Sequence, residues 1–446
     1  MWFRRDLRLL DNPALLAAIA AAQADGDGQV VPLFVLDPAL WHNAGPVRQA
    51  YLVASLDSLG ASLDRSLLIR HGNPASVVAE VVAAIGATSV HIAEDFAPYG
   101  MRRDAGVAQA LGKVPLVRTG SSYAVSPGRV RKGDGTAYRV FTPFYRAWMT
   151  QGWRAPAADI ATDVKWTMPL PCEGRPLAPD LGDLALPPAG EQAAWRQWMQ
   201  YQEESLNHYQ DERDRPDLNT TSKLSHHLRW GEIHPRSLLA ELTDANEVFR
   251  KEICWREFYA DVLHEAPSSI TQSLNTKYDG MKWAVGAKSD EAFNAWAEGR
   301  TGFPLVDAGM RQLRAEGWVH NRVRMVVASF LIKDLHIAWQ RGAAEFMFYL
   351  RDADLASNVH GWQWTAGCGT DASPFYRVFN PISQGLRFDP NGDYVRRYIP
   401  ELRHLAGADA LEPWNQKTGY DQAYPERIVD HAIERQVALD AYQAIR

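Results

Sequence analysis

Cysteine is scarce in this sequence: Cys172, Cys254 and Cys368 are the three in 446 residues. They stand too far apart for a metal-ligand spacing or a disulfide framework, which fits a reducing cytoplasm and gives no metal centre. A four-cysteine iron–sulfur cluster is excluded by the count alone. No apolar run approaches the ~18 residues of a membrane-spanning helix, so no membrane partner is expected. A secretory signal is lacking too, because Arg4, Arg5 and Asp6 fall where its apolar stretch would begin. The N-terminal part has no G-x-G-x-x-G dinucleotide fingerprint. There is no surplus of basic charge. A net charge of −6 argues against binding nucleic acid through bulk charge. Internal repeats and low-complexity tails are missing as well.

What is present is a globular composition, 46% hydrophobic and 22% charged, and length enough for two or three domains. Residues 1–126 alternate short apolar runs with helical patterns. Residues 30–36, 66–69, 90–93 and 114–117 read as buried strands. Leu52, Leu56, Leu59 and Leu63, then Val77, Val78, Val81, Val82 and Ile85, mark helix faces between them. The alternation predicts an α/β domain with a Rossmann-like parallel sheet, whose ligands bind beyond the carboxyl ends of its strands. Residues 95–100 sit at such an end. The first strand would be unusually short, since Trp2 and Phe3 lie at the start. Residues 127–190 are broken repeatedly by proline, from Pro156 to Pro188, and read as a long connector with one helix near 141–150. Residues 191–446 carry helical spacing and predict an all-α domain. Val306, Met310 and Leu313, then Val319, Val323, Val326, Val327, Phe330 and Leu331, mark two long buried helices in it.

Chemistry concentrates in residues 351–381, R-D-A-D-L-A-S-N-V-H-G-W-Q-W-T-A-G-C-G-T-D-A-S-P-F-Y-R-V-F-N-P. Its small residues let a backbone lie close to a large flat ligand. Asp352, Asp354 and Asn358 offer partners for a polar edge. Trp362 and Trp364 offer stacking surface and an oxidisable ring. The plainer alternative is a buried aromatic loop over a helical core. Upstream, Tyr209 and Arg213 precede Thr221, Ser222, Lys223, Leu224 and Ser225. Hydroxyls before an apolar helix suit a phosphate site or a simple helix cap. Glu252 and Arg256 are four apart, with Trp255 beside them. They suit an ion pair along one helix face, or a cavity wall with Glu252 pointing in. Asn321, Arg324 and Met325 share a helical face, and Asp352 is the candidate partner for Arg324. Residues 300–351 hold eight Lys/Arg against four Asp/Glu. That local excess suits a phosphate-tracking face as well as solvated helix surfaces. Seven of the sixteen tryptophans fall between Trp255 and Trp364, so aromatic enrichment overlaps this basicity.

Taken together, these motifs resemble the photolyase/cryptochrome family of flavoproteins. The resemblance begins at W-F-R-R-D-L-R-L, residues 2–9, with D-N-P at 11–13. It continues through T-S-K-L-S at 221–225, W-R-E-F-Y at 255–259, G-R-T-G-F-P at 299–304, W-V-H-N-R-V-R-M at 318–325 and residues 352–364. It ends with F-N-P at 379–381 and E-P-W at 412–414. It spans essentially the whole chain in order. Within the family the chain is similar to a class I cyclobutane pyrimidine dimer photolyase. Related (6-4) photolyases carry a second histidine where this chain has Asn321. Plant cryptochromes usually place Asp where it has Asn358, and carry long tails that are not seen here.

The resemblance implies FAD folded inside the helical domain and light-driven repair of damaged DNA, by electron transfer from excited reduced FAD to a pyrimidine dimer. The dimer would leave the duplex, as the bases that photolyases act on do. Tyr209, Thr221, Ser222, Lys223, Leu224 and Ser225 would hold the FAD phosphates. Asp352, Asp354, Asn321, Arg324 and Asn358 would surround the isoalloxazine. Trp255 and Trp364 would line the dimer pocket, with Trp255 also bordering the cofactor. Met325 would touch the dimer and Glu252 would hydrogen-bond it. Arg213, Arg256, Arg322 and Arg377 would grip phosphates. Trp362, Trp339 and Trp283 would form an electron-transfer chain, with Trp339 on the helix that follows Asn321. Trp364 would point roughly away from Trp362. P-Y-G-M-R-R-D at 98–104 looks like the antenna-binding version of the family that takes 8-hydroxy-5-deazaflavin, with Arg48, Asp95 and Tyr99 as contacts. Methenyltetrahydrofolate, or no antenna, is the alternative. A cytoplasmic monomer is expected. The rival readings are a blue-light receptor of the same fold without repair activity, and a flavoprotein electron carrier.

Overall fold

The computed structural model describes residues 1–25, 28–157, 164–370 and 376–445. The chain opens with β1 (Trp2–Phe3), α1 (Pro13–Asp25), β2 (Gln29–Val30), β3 (Leu33–Leu36) and α2 (Pro38–Trp41). Then come α3 (Pro46–Ser62), β4 (Leu68–His71), α4 (Pro74–Ile85), β5 (Val90–Glu94), α5 (Pro98–Leu111) and β6 (Leu116–Ser121). Each of α2 to α5 begins with proline, whose fixed φ suits a first turn that needs no N–H. The strand pairs are all parallel: β1–β3–β4, β5–β6, and β2 with β7 (Lys165–Trp166). All four residues of β3 are buried, as a sheet covered on both faces requires.

Prolines explain where these strands depart from the sequence reading. The expected strand over 30–36 divides into β2 and β3 around Pro32. The strand expected at 114–117 begins instead at Leu116, just after Pro115. Neither proline can donate to a ladder. The connector contributes more than a link. Its helix α6 (Phe141–Gln151) packs into the helical part: Phe141 stacks on Trp255 with ring centroids 3.7 Å apart. Trp148 Nε1 donates to Glu257 at 2.7 Å. Further on, β7 joins the α/β part. The connector therefore packs on both, which accounts for its length.

The helical part runs through α7 (Glu191–Glu204), α8 (Tyr209–Glu212), α9 (Ser225–Trp230), α10 (Pro235–Ala240) and α11 (Glu247–Glu265). It continues with α12 (Ala287–Ala297), α13 (Pro304–Glu316), α14 (Asn321–Lys333), α15 (Trp339–Tyr349) and α16 (Leu355–Ala366). It closes with α17 (Pro381–Phe388), α18 (Asp393–Tyr398) and α19 (His431–Ala444). Among the described residues no strand follows Trp166, and no helix is long and apolar enough to cross a membrane. The core centres on α14, where Val323, Val326, Val327, Phe330 and Leu331 are buried. Each such side chain contributes about 1.5–3 kcal/mol relative to exposure.

Two expectations need correcting. Trp339 does not share the helix of Asn321. That helix ends at Lys333, His336 takes φ +54 in the turn, and Trp339 opens α15. Nor is the stretch 351–381 a loop at its centre. Asp354 accepts from Ser357 N at 3.1 Å and caps α16, which carries Asn358, Trp362 and Trp364. Residues 371–375 of that stretch lie outside the described part.

Candidate active site

Helices α9, α11, α14 and α16 enclose a cavity of about 490 Å³, within the usual range of ligand sites. Helical spacing builds its walls. Glu252, Trp255, Arg256 and Tyr259 come from α11; Asn321, Arg324, Met325 and Ala328 from α14; Ser357, Asn358, Gly361, Trp362 and Thr365 from α16. Asp352 and Asp354 precede α16, and Trp364 completes that wall. Tyr209, Arg213, Ser222, Leu224, Ser225, Leu228 and Arg229 close the remaining side.

Two ion pairs order the polar wall. Arg324 Nη2 meets Asp352 Oδ2 at 2.8 Å, the partnership expected from residue type. Arg5 Nη2 meets Asp354 Oδ2 at 2.6 Å. Burial would raise the Asp354 carboxyl, but Arg5, Arg256 and Arg229 outweigh it and hold it well below the usual carboxylate range. Asn358 Nδ2 donates to Ala343 O at 2.9 Å. Glu252 pairs with Arg213 Nη1 at 2.7 Å. Burial pushes its carboxyl up, and Arg213 offsets only part of that. Arg229 Nε donates to Ala353 O at 2.8 Å, and burial lowers its guanidinium to about 9.

Two buried polar atoms of lining residues have no partner among the described residues: Asp352 Oδ1 and Arg229 Nη1. Buried polar groups are ordinarily paired. One acceptor and one cationic donor, in a cavity walled by Trp255, Phe346, Trp362 and Trp364, fit a flat aromatic ligand with a polar edge and an anionic portion. The residues present therefore fit FAD. Among the described residues, no group of three His, Cys, Asp or Glu is placed to hold a metal ion.

Several expected residues stand elsewhere. Thr221 and Lys223 do not line the cavity; the Lys223 ammonium lies 5.4 Å from the Trp318 ring centroid. Leu224 is the N-cap of α9 and no side chain caps it, so the hydroxyl cluster is not a simple cap. The pairing of Glu252 with Arg256 does not form. Arg256 instead donates to Ser122 O and Leu228 O, at 2.9 and 3.2 Å. Each of its terminal nitrogens is thus anchored to a carbonyl while Arg256 lines the cavity. Arg322 pairs with Asp214 at 2.8 Å. Arg377 borders a second, small cavity with Lys333 and Trp364. Trp362 and Trp364 both line the main cavity, and Trp364 also borders the small one.

The basic stretch 300–351 is not a free cationic face. Arg300, Arg311, Arg314 and Arg341 pair with Glu298, Glu401, Glu345 and Asp290. Arg351 donates to Glu316 O at 2.5 Å, and Lys333 is buried against Arg377 O. Most of the neutralising carboxylates lie outside the segment, so a local count misses them.

Trp362, Trp339 and Trp296 share one buried core cluster, and Trp283 packs against its edge. The Trp296 ring lies 6.1 Å from that of Trp362, a neighbour the sequence reading did not select. In the α/β part, Arg48 is buried and donates to Met347 O at 2.7 Å and Asn43 O at 2.9 Å. Asp95 pairs with Arg103 at 3.2 Å, and Tyr99 OH donates to Asp37. The sequence reading also missed Arg5, Arg229, Tyr259 and Ser357. Helical spacing from Trp255 was a usable signal for Tyr259, and spacing of three from Asp354 for Ser357. Arg5 lay inside a recognised motif, but nothing local tied it to this cavity.

The profile described as DNA photolyase matches residues 1–161, and that described as FAD binding domain of DNA photolyase matches residues 249–444. A deoxyribodipyrimidine photo-lyase of Halobacterium salinarum is 37% identical over 483 residues, spanning 100% of this chain and 98% of its own. The crystal structure of a bacterial class III photolyase from Agrobacterium tumefaciens superposes with TM-score 0.89 at 36% identity, covering 100% of this chain and 96% of that one. An archaeal photolyase structure from Sulfolobus tokodaii, described with two FAD molecules, gives TM-score 0.82 at 26% identity, covering 99% of each chain. These full-length likenesses, with the two matched profiles, show that the chain belongs to the DNA photolyase family.

Proposed function

We propose that this chain is a light-driven DNA repair lyase that splits cyclobutane pyrimidine dimers, with FAD as its cofactor. The observation that carries the proposal is the cavity itself, where one wall is polar and suits a flavin edge while Trp255, Trp364 and Glu252 line the rest. When bound and reduced, FAD supplies a light-excited one-electron donor. Asp352, Arg324, Asn321, Asp354 and Asn358 would hold its ring system. Tyr209, Ser222, Leu224 and Ser225 would lie toward its phosphates, with Thr221 and Lys223 shaping that loop from behind. Trp255 is braced by Phe141 and offers a rigid face to unstacked bases. Met325 completes the apolar contact. Glu252, with its carboxyl raised by burial, would offer a proton to a dimer carbonyl. Arg213, Arg322 and Arg377 are candidates for phosphate contacts once their present partners yield. Trp362, Trp339 and Trp283 form the proposed electron route toward the cavity.

An antenna is proposed at the strand ends near Asp95 and Tyr99, with 8-hydroxy-5-deazaflavin as its ligand. The S. tokodaii likeness, described with a second FAD, supports a second chromophore of some kind. Because Arg48 is engaged by backbone carbonyls, it would act there by shaping the site. We further propose a monomer working in the cytoplasm. The decisive experiment is blue light on the purified, reduced holoprotein with dimer-containing oligothymidylate. Return of thymine absorbance is expected. Binding without that return would favour the blue-light receptor and overturn repair.

A further inference from the structure

Arg4 and Arg5 follow β1 and serve different regions. Arg4 Nη1 pairs with Asp104 on α5 at 2.6 Å. Arg5 reaches into the helical part, where its Nη2 meets Asp354 at 2.6 Å and its Nε donates to Arg229 O at 3.3 Å. Arg5 and Asp354 are 349 positions apart. The seat of Arg5 is tight. Its carbonyl accepts from Ser122 Oγ at 3.1 Å, and a Cβ on Gly231 would stand 1.9 Å from that oxygen. Leu7 N donates to Trp230 O, and Arg8 Nη1 to Gly231 O. The W-F-R-R-D-L-R motif of the α/β domain is therefore clamped onto the end of α9.

Arg5 does not line the cavity, but its partner Asp354 does. The other Asp354 oxygen caps α16 through Ser357 N. The pair is part-buried, its side chains 20% and 11% exposed, and removing one partner leaves a poorly compensated charge. Here that charge would sit at the start of the helix that carries Asn358, Trp362 and Trp364. We infer that Arg5, supplied by the α/β domain, is a positioning residue for the flavin cavity, holding the Asp354 carboxylate and with it the cavity face of α16. The inference rests on the FAD reading of that cavity. It makes the cofactor site a product of both domains.

The test is FAD titration of the flavin-depleted full-length chain, followed by quenching of flavin fluorescence, with near-ultraviolet circular dichroism to report the fold. Arg5→Gln is expected to raise the FAD Kd by about tenfold, and Arg5→Lys to stay within about threefold of wild type. Asp354→Asn is also expected to weaken binding by about tenfold. The double variant is expected to be no weaker than the weaker single one, because both changes remove the same contact. A general structural brace would not produce that coupling. Unchanged affinity in Arg5→Gln, or single effects that multiply to about a hundredfold, would overturn the inference. If Arg5→Gln does not fold, the comparison of Arg5→Lys with Asp354→Asn decides. Tight binding in the first and weak binding in the second supports the inference, and the reverse overturns it. A wild-type chain that takes up no FAD would overturn the FAD reading and this inference together. Normal wild-type uptake with no Arg5 effect overturns this inference alone.

Discussion

Glu252 shows how a single residue acquires a role from its surroundings. It lies on α11, lines the cavity and faces Arg213. Burial raises its carboxyl, so the neutral, proton-donating form persists to higher pH than for an exposed glutamate. Glu252→Ala should retain FAD and lose roughly tenfold in repair per photon, the scale of one hydrogen bond to a buried acceptor. Glu252→Gln, which still donates, should lose less. Because the neutral form is the donor, repair by the wild type should fall as pH rises past the Glu252 pKa, and Glu252→Gln should flatten that fall. Flash photolysis on dimer oligonucleotides across pH checks both. Trp362 supplies a second residue-level prediction. Trp362→Phe should bind FAD yet lose its photoreduction by external thiol, and it should still repair once the flavin is chemically reduced. Full photoreduction in that variant would show that electrons reach the cavity by another route.

Between elements, the decisive contact is that of α15 with α16. Gly342 lies three residues after Trp339, on the same face of α15. A Cβ there would stand 2.1 Å from Trp362 Cη2 and 2.6 Å from Leu331 Cδ2. No Cβ fits at this position, so α15 approaches closely and Trp362 packs edge-on against Trp296 and Phe346. Gly342→Ala gains up to about 1 kcal/mol of helix propensity but overpacks a rigid core at a cost of about 1–3 kcal/mol. Packing should win because the clash is with an indole ring locked by its neighbours. A lower urea midpoint together with weaker FAD binding is the expected result. A rise in the midpoint would show that α15 can slide.

For the whole molecule, charge is settled by partners and not by totals. Since the arginines of 300–351 are mostly paired within the fold, DNA binding should involve few phosphates. Its log–log salt slope should be correspondingly shallow, at about −0.9 per contact. Fluorescence anisotropy with a dimer-containing duplex across salt would measure it, and a steep slope would mean that those ion pairs open on DNA. Lys333 offers a stability prediction at the same scale. Burial lowers its ammonium from 10.5 to about 7. Between those values the unfolded chain binds the extra proton, so stability rises with pH through that window and this contribution is lost as pH falls toward 7. Lys333→Met should remove the rise. The Tm of the wild type minus that of the variant should therefore increase between pH 7 and pH 10, and a constant difference would show that Lys333 is not buried in solution.

Local spacing carried the sequence reading as far as helix faces. Asn321, Arg324 and Met325 fall on one side of a helix whatever that helix packs on, because 3.6 residues make a turn. The same holds for Asn358 and Trp362, and alternating apolar runs were enough to announce the α/β part and its parallel strands. Residue type made Asp352 the partner for Arg324, and the structure joins them. The family resemblance rested on motifs in order, and full-length relatives bear it out. What spacing cannot say is which face meets which across a long separation. Arg5 and Asp354, Arg213 and Glu252, and Trp296 and Trp362 are joined only when the domains and helices dock. The choice between an ion pair and a cavity wall for Arg256 was open for the same reason, since its carbonyl partners at Ser122 and Leu228 are remote in sequence. The basic stretch left two readings open because its neutralising acids arrive from other elements. Faces are a property of backbone geometry and are written locally. Partners are chosen by packing, where burial makes every unpaired charge costly, and only the tertiary structure shows how that cost is met.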